Sequence, residues 1–125
     1  MEPQTSSTET PMQLLSMTNG LVIHQALYAA AKLGVADLLK DGAQTSSNLA
    51  GQLNVNETAL YRILRLLASQ TVFEETSPRT FANTALSHFL CTGVPGSVRS
   101  VLIFRGSEFF FSPFAEILHS VRTGR

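Results

Sequence analysis

The chain has 125 residues, of which 44% are hydrophobic and only 14% are charged, and its formal net charge is zero. Charged residues make up about 25% of an ordinary soluble domain, so this low share predicts that much of the surface is covered by a partner or by a larger chain. The neutral balance removes the broad electrostatic attraction that nucleic-acid binders use.

The single cysteine, Cys91, excludes an internal disulfide framework. No apolar run reaches the roughly 18 residues of a transmembrane helix, and no secretory signal is visible. We therefore expect a cytoplasmic protein without a membrane partner.

The first third of the chain predicts a polar tail and then a long helix. Residues 1–10 are polar and are predicted to be disordered. Apolar periodicity predicts a helix from Met12 to Leu33, with Gly20 as a weak point. Its alanine-rich second half would let another helix approach closely. Gly34 suits the left-handed residue that ends a helix, and one or two further turns should stop at Gly42.

The middle third predicts a helix-turn-helix followed by a hairpin. Thr45 or Ser46 can cap a short helix, and Asn56 can cap a second one. The second helix carries an apolar stripe at helical spacing, formed by Leu60, Ile63, Leu64 and Leu67. Residues 72–75 and 80–81 flank the turn-forming sequence Thr76-Ser77-Pro78-Arg79 and predict a small hairpin. This order of elements is typical of a winged helix.

The last third predicts more helix. Three helices are expected there, from Asn83 or Thr84 to near Leu90, from Pro95 to an interruption at Gly106, and from Ser112–Pro113 to the C-terminus. Residues 11–125 are therefore expected to form one domain. Its fold class is predicted to be mainly α, a winged-helix-like helical bundle with one small β-hairpin.

The residues capable of chemistry do not form a recognisable active site. Three histidines, His24, His88 and His119, lie far apart, and none is at metal-ligand spacing with cysteine or a carboxylate. Cys91 has no second cysteine to pair with, and we predict that it is a small apolar core residue near the end of a helix. Glu74 and Glu75 adjoin in a strand and so point to opposite faces, which opposes an acid–base pair. The strand, glycine-rich turn and acidic ribose ligand of an adenosine-type cofactor site are absent. We predict no catalytic, cofactor-binding or metal-binding residue in this chain.

Three arginines lie on the predicted winged helix, namely Arg62, Arg65 and Arg79. In a DNA-binding protein they would contact phosphates and bases. Three glutamates, Glu57, Glu74 and Glu75, share the same module, and no lysine supports the arginines. The sequence therefore favours a solvated face over a nucleic-acid interface.

Five phenylalanines fall within eleven residues, at Phe104, Phe109–Phe111 and Phe114. They could form an ordinary core, a ligand pocket or a subunit contact. Consecutive residues of a helix cannot all face one side, so at least one should face a partner, a ligand or another domain. The apolar first helix and the low charge favour a subunit contact.

With these elements placed, the chain resembles the N-terminal region of the plant and bacterial S-adenosylmethionine-dependent O-methyltransferases that act on small aromatic hydroxyl compounds. The likeness covers residues 12–124 and is carried by ALYAAAKLGVADLL (26–39), NLAGQLNVN (48–56), ALYRILRLLAS (59–69), VF (72–73), LSHFL (86–90) and FAEILHSVRTG (114–124). The chain departs from the family pattern in two places. Phe114 stands where tryptophan is usual, and Gln70-Thr71 replaces a glycine expected before Val72.

The resemblance implies a winged helix that forms an interlocked homodimer instead of reading DNA. It also implies that this region lends side chains to the partner's acceptor pocket. The S-adenosylmethionine domain, with its histidine base, would follow this region, so the fragment alone is expected to be inactive and to need no cofactor of its own. Two other functions stay open at this point: a winged-helix DNA-binding transcription regulator, and a stand-alone dimeric adaptor.

Overall fold

The computed structural model describes residues 9–125 and is mainly helical over that range. The eight α-helices of the described residues are α1 (Glu9–Met17), α2 (Asn19–Leu33), α3 (Val35–Leu38), α4 (Ser46–Leu53), α5 (Glu57–Ser69), α6 (Arg99–Gly106), α7 (Glu108–Phe111) and α8 (Ile117–Thr123). The strands are β1 (Gln44–Thr45), β2 (Phe73–Ser77) and β3 (Thr80–Asn83), and two 3-10 helices span Ser87–Leu90 and Ser112–Glu116. The tail predicted at residues 1–10 falls mostly on residues 1–8, which lie outside the described residues.

The first helical segment is divided into two helices. The prediction of one helix from Met12 to Leu33 was wrong about its weak point, since the break lies at Thr18 and Gly20 is inside α2. The Thr18 hydroxyl donates to the Leu15 carbonyl, as does its backbone N–H. At the other end the prediction is confirmed. Gly34 has φ 76°, and its N–H donates to the Ala30 and Ala31 carbonyls in the last turn of α2, which ends the helix.

The winged helix forms as predicted. The Thr45 hydroxyl accepts from the Asn48 N–H at 3.1 Å, and the Asn56 side chain accepts from the Ala59 N–H at 2.9 Å. These two caps begin α4 and α5. The predicted hairpin is β2–β3, and the sheet has a third strand that was not predicted. Strand β1 pairs with β3, giving the order β1-β3-β2 with all pairs antiparallel.

The core lies where the helix-turn-helix, the sheet and the end of α2 meet. The most buried large side chains are Phe73, Phe81, Leu49, Leu64, Leu67 and Val35. Leu60 is also buried and Ile63 is half-buried, so the predicted stripe of α5 does face the core. Two buried hydroxyls are satisfied by hydrogen bonds, from Ser46 to the Glu57 carboxylate and from Ser87 to the Asn83 side chain.

Three predicted helix boundaries in the last third were wrong. Asn83 belongs to β3, so the short helix begins only at Ser87 and is a 3-10 helix. Helix α6 begins at Arg99 and not at Pro95, because Gly93 and Gly96 adopt φ near 77° and 78° and keep that segment non-helical.

The final helix was also placed too early. Ser112 and Pro113 begin a 3-10 helix, and α8 follows it from Ile117. The capping residue in this region is Ser107, whose hydroxyl accepts from the Phe110 N–H at the start of α7.

Candidate subunit interface

Large apolar side chains are exposed in two regions of the chain. One is α1 with the start of α2, where they are Met12, Leu14, Leu15, Met17, Leu21 and Val22. The other runs from the turn before α6 to α8, where they are Val98, Val101, Phe104, Phe109, Phe114, Ile117, Leu118 and Val121. Residues 10–31 contain no aspartate, glutamate, lysine or arginine. A contiguous apolar surface of this kind marks an interaction site. Among residues 9–125, every helix is too short or too polar to span a bilayer.

The two regions meet at an open groove of about 680 Å³ between α2 and the α6–α7 segment. Its walls are Gly20, Leu21, His24, Val101, Phe104, Arg105, Phe110, Phe111 and Phe114. The aromatic rings are in mutual contact. Centroids are 5.2 Å apart for Phe104–Phe110, 5.6 Å for Phe110–Phe114 and 5.7 Å for the stacked His24–Phe111 pair. The groove is therefore an aromatic surface with one guanidinium at its edge.

Phe109 contacts the cluster only at its edge, with its ring centroid 6.4 Å from that of Phe104, and is 82% exposed. Phe110 and Phe111 are half-buried, and that Phe109 faces a partner, a ligand or another domain stays a prediction. A phenylalanine as exposed as this one offers apolar surface area to any partner that binds to this face.

Helix α6 is fixed against α2 by a close contact at Gly106. A Cβ atom at this position would overlap the Tyr28 side chain, so only glycine allows the two helices to approach as they do. Sequence reasoning identified Gly106 only as a helix break. It missed the contact because Tyr28 lies 78 positions earlier in the chain.

Arg99 anchors the other end of α6. Its Nε donates to the Ala31 carbonyl at 2.7 Å and its Nη1 donates to the Thr92 hydroxyl at 3.0 Å. Thr92 in turn donates to the Asp37 carboxylate through its hydroxyl (2.7 Å) and its N–H (2.9 Å). The network joins the ends of α2 and α3 to the start of α6. Sequence reasoning missed it, since its members are far apart in the chain.

The Asp37 carboxyl is held ionised by this network. Its burial raises the pKa, but the hydrogen bonds from Thr92 and the nearby Lys40 ammonium lower it more, so the pKa lies below its ordinary value of 3.8. Lys40 lies 3.3 Å from the Asp37 carboxylate. The ionised Asp37 carboxylate thus helps to hold the start of α6 in place, through Thr92 and Arg99.

The three candidate histidines are not brought together. His24 lies in the groove, His88 packs edge-on against Phe89 with centroids 5.3 Å apart, and His119 is exposed on α8. Within residues 9–125, no group of three His, Cys, Asp or Glu side chains is placed to hold a metal ion.

Cys91 is a core residue, as predicted. It is 2% exposed, and its thiol faces the Ala36 carbonyl at 3.6 Å. Burial, and then the Asp37 carboxylate, raise the pKa of the thiol above its ordinary value of 9.0. A protonated, enclosed thiol is not a nucleophile.

The wing arginine is occupied within the domain. The Arg79 guanidinium lies 4.0 Å from the centre of the Tyr61 ring and 3.3 Å from the Glu57 carboxylate. The Glu75 carboxylate accepts from the Arg79 N–H at 2.8 Å. Arg62 and Arg65 are exposed on α5. The acidic groups thus stand where a phosphate contact would require positive potential.

A winged helix whose wing arginine is paired within the domain, and whose flanking helices expose large apolar side chains, is a subunit-association module. The family model of the O-methyltransferase dimerisation domain matches residues 15–93. The chain belongs to this family.

One curated relative and two solved structures show how far the likeness extends. Phenazine O-methyltransferase PhzM of Lysobacter antibioticus is 41% identical over 111 residues, which cover 89% of this chain and 32% of the relative. The crystal structure of LaPhzM superposes with a TM-score of 0.87 at 40% identity, covering 93% of this chain and 35% of that one. CalO1, a methyltransferase of calicheamicin biosynthesis solved in its SAH-bound form, gives 0.85 at 30% identity, covering 98% and 36%. The chain thus spans about a third of the length of the relatives it matches.

Proposed function

We propose that this chain forms a homodimer and provides the subunit interface of an S-adenosylmethionine-dependent O-methyltransferase acting on small aromatic hydroxyl compounds. The observation that carries the proposal is the exposed apolar face of α1, α2 and α6–α8, together with the lack of aspartate, glutamate, lysine and arginine in residues 10–31. Stable obligate interfaces are hydrophobic and commonly bury more than about 2,000 Å² in total. Membership of the dimerisation family supports the same conclusion.

The aromatic groove is proposed to shape the acceptor pocket of the parent enzyme. Its rings would contact a flat aromatic acceptor by stacking and by edge contacts, and Arg105 lies at its edge. No residue of this chain is proposed as a base or nucleophile. We also propose a cytoplasmic location, which the single buried free thiol of Cys91 supports.

The residues described do not fit S-adenosylmethionine as a ligand of this chain. The donor's adenosine needs parallel strands, a glycine-rich turn and an acidic ribose ligand. The sheet of residues 9–125 is antiparallel, and its strands are two to five residues long. We propose that the donor is bound by a separate domain of the parent enzyme.

The test of the homodimer is light scattering over a dilution series from high micromolar concentration downward. The expected mass is twice the 13.6 kDa of one chain. A matched pair of variants locates the interface. Phe109→Asp should weaken the dimer, because it adds a charge to the exposed apolar face. Arg65→Asp, on the exposed side of α5, should leave the mass unchanged. A monomer at every concentration would contradict the proposal.

A further inference from the structure

We propose that Arg105 selects an aromatic acceptor that carries a carboxylate, by pairing with that carboxylate at the edge of the aromatic groove. The inference rests on the proposed role of the groove in the acceptor pocket, and it names the chemical class of the acceptor more closely. Its basis is an arginine without a partner in its own domain, placed beside a wall of phenylalanine rings.

The Arg105 guanidinium makes no hydrogen bond, ion pair or ring contact within residues 9–125. The two ion pairs of this range are formed by Lys40 and Arg79, and its cation–π contact is also made by Arg79. Arg99, on the same helix, differs because its guanidinium donates to a carbonyl and to a hydroxyl. A guanidinium has five N–H donors and stays ionised. The donors of Arg105 are therefore available to a ligand.

The groove also lacks an acidic side chain that would neutralise this guanidinium. On the α2 side, residues 10–31 contain no aspartate or glutamate. On the other side, Glu108 and Glu116 are exposed and lie outside the lining of the groove. Arg105 is the one permanently charged residue among the nine that line the groove. A ligand that fills the groove meets a single positive charge, which favours a single negative charge on the ligand.

The two kinds of side chain in the groove suit the two parts of an aromatic acid. The ring centroids of Phe104 and Phe110 are 5.2 Å apart, and those of Phe110 and Phe114 are 5.6 Å apart. Such rings contact a flat ring system by offset and edge-on packing. A planar guanidinium binds a carboxylate through two parallel N–H···O bonds. The groove volume of about 680 Å³ lies within the range of small-molecule sites.

Arg105 also lies in the last turn of α6, where a cation interacts favourably with the helix dipole. That interaction concerns the stability of the helix and involves no ligand. It predicts that an acid and its uncharged amide bind the groove equally well. Discrimination between these two ligands therefore separates a role in acceptor selection from a role in helix stability.

Equilibrium dialysis of the whole chain at low ionic strength measures this discrimination. The probes are a hydroxynaphthoic acid, with its hydroxyl on the carbon next to the one that bears the carboxylate, and the hydroxynaphthamide of the same skeleton. The acid should bind at least about tenfold more tightly, because a charge-assisted pair adds to the same ring contacts. Added salt should reduce this ratio, since the guanidinium is exposed.

Three variants assign the discrimination to its residue. Arg105→Gln should bring the ratio of the two Kd values to about one, and Arg105→Lys should keep only part of the preference, since an ammonium lacks the planar fork. Arg62→Gln is the control, at an exposed arginine of α5 outside the lining of the groove, and it should leave the ratio unchanged. The ratio is the readout because a general loosening of the groove would weaken the binding of both probes alike.

The possible failures are distinguishable. Equal binding of the acid and the amide by the wild type, or an unchanged ratio in Arg105→Gln, would overturn the role of Arg105 and leave the groove as an acceptor site. If neither probe bound, the role of Arg105 and the acceptor role of the groove would both be refuted. The homodimer is judged separately, by the mass from light scattering.

Discussion

Thr71 adopts a backbone conformation that suits glycine. Its φ is 61°, and its N–H donates to the Ala68 carbonyl while the Val72 N–H donates to Leu67 at the end of α5. A β-branched residue in the left-handed region costs about 1–2 kcal/mol. This geometry explains the glycine that the family resemblance led us to expect before Val72.

We predict that Thr71→Gly stabilises the domain by about 0.5–1 kcal/mol, because the relief of strain exceeds the entropy that glycine loses on folding. The control is Thr71→Ala, which keeps a Cβ at the same φ and should stay within about 0.5 kcal/mol of the wild type. Urea denaturation measures both variants. Equal changes in the two would argue against backbone strain at this position.

Asp37 should make stability depend on pH in the acid range. Its pKa in the folded state is lowered from 3.8, so its contribution is present above the unfolded pKa of about 3.9 and is lost as pH falls through the folded value. Asp37→Asn should cost about 1 kcal/mol at pH 6, with a smaller difference from the wild type at pH 3. Asp41→Asn, at an exposed aspartate nearby, is the control. A difference that is the same at both pH values would refute the assignment.

Residue-scale features were predictable where they are local. The caps at Thr45 and Asn56 and the left-handed Gly34 depend on neighbours within four positions. The Asp37–Thr92 hydrogen bonds join residues 55 positions apart. No sequence spacing indicates such a pair, because it arises from the packing of α3 against the turn before α6.

At the scale of elements, the approach of α6 to α2 depends on Gly106. We predict that Gly106→Ala destabilises the domain by about 1–3 kcal/mol, since the added methyl group would overlap Tyr28. Gly51→Ala is the matched control. It lies in α4 with no atom within 4 Å of the added Cβ, so it should be neutral or stabilising. Thermal unfolding compares the two variants. If Gly106→Ala changed the melting temperature as little as Gly51→Ala, α6 would be able to shift away from α2 without loss of stability.

Elements with a strong apolar periodicity were predicted correctly, but the residues at which they begin and end were not always correct. The stripe of α5 placed Leu64 and Leu67 in the core, where the structure has them. The start of α6 at Arg99 was missed, because Gly96 adopts a left-handed conformation that a proline one position earlier does not reveal. Strand β1 is two residues long, too short for any alternating pattern to show.

At the scale of the whole molecule, we predict that this chain alone does not bind the methyl donor. Calorimetry with S-adenosylhomocysteine at millimolar concentration should give no saturable heat, because a short antiparallel sheet offers no adenosine site. CalO1, which is solved with SAH bound, is the positive control. Saturable heat from this chain would place a donor site within residues 1–125.

The association face could be anticipated from the sequence, but its shape could not. Low charge and the phenylalanine cluster indicated a covered surface, and the structure places that cluster against His24 of α2. The groove between them depends on how α6 turns over α2, through Gly106 and Arg99. Those are tertiary contacts, on which composition carries no information.

In the proposed homodimer, the uncharged stretch of residues 10–31 would make the melting temperature of the protein depend on its concentration. Anything that binds only the folded state raises the melting temperature by mass action, and a second subunit acts in this way. A tenfold dilution then removes about 1.4 kcal/mol of association free energy. Protomers at low concentration lose this stabilisation, so unfolding during heating should begin at a lower temperature in dilute samples than in concentrated ones.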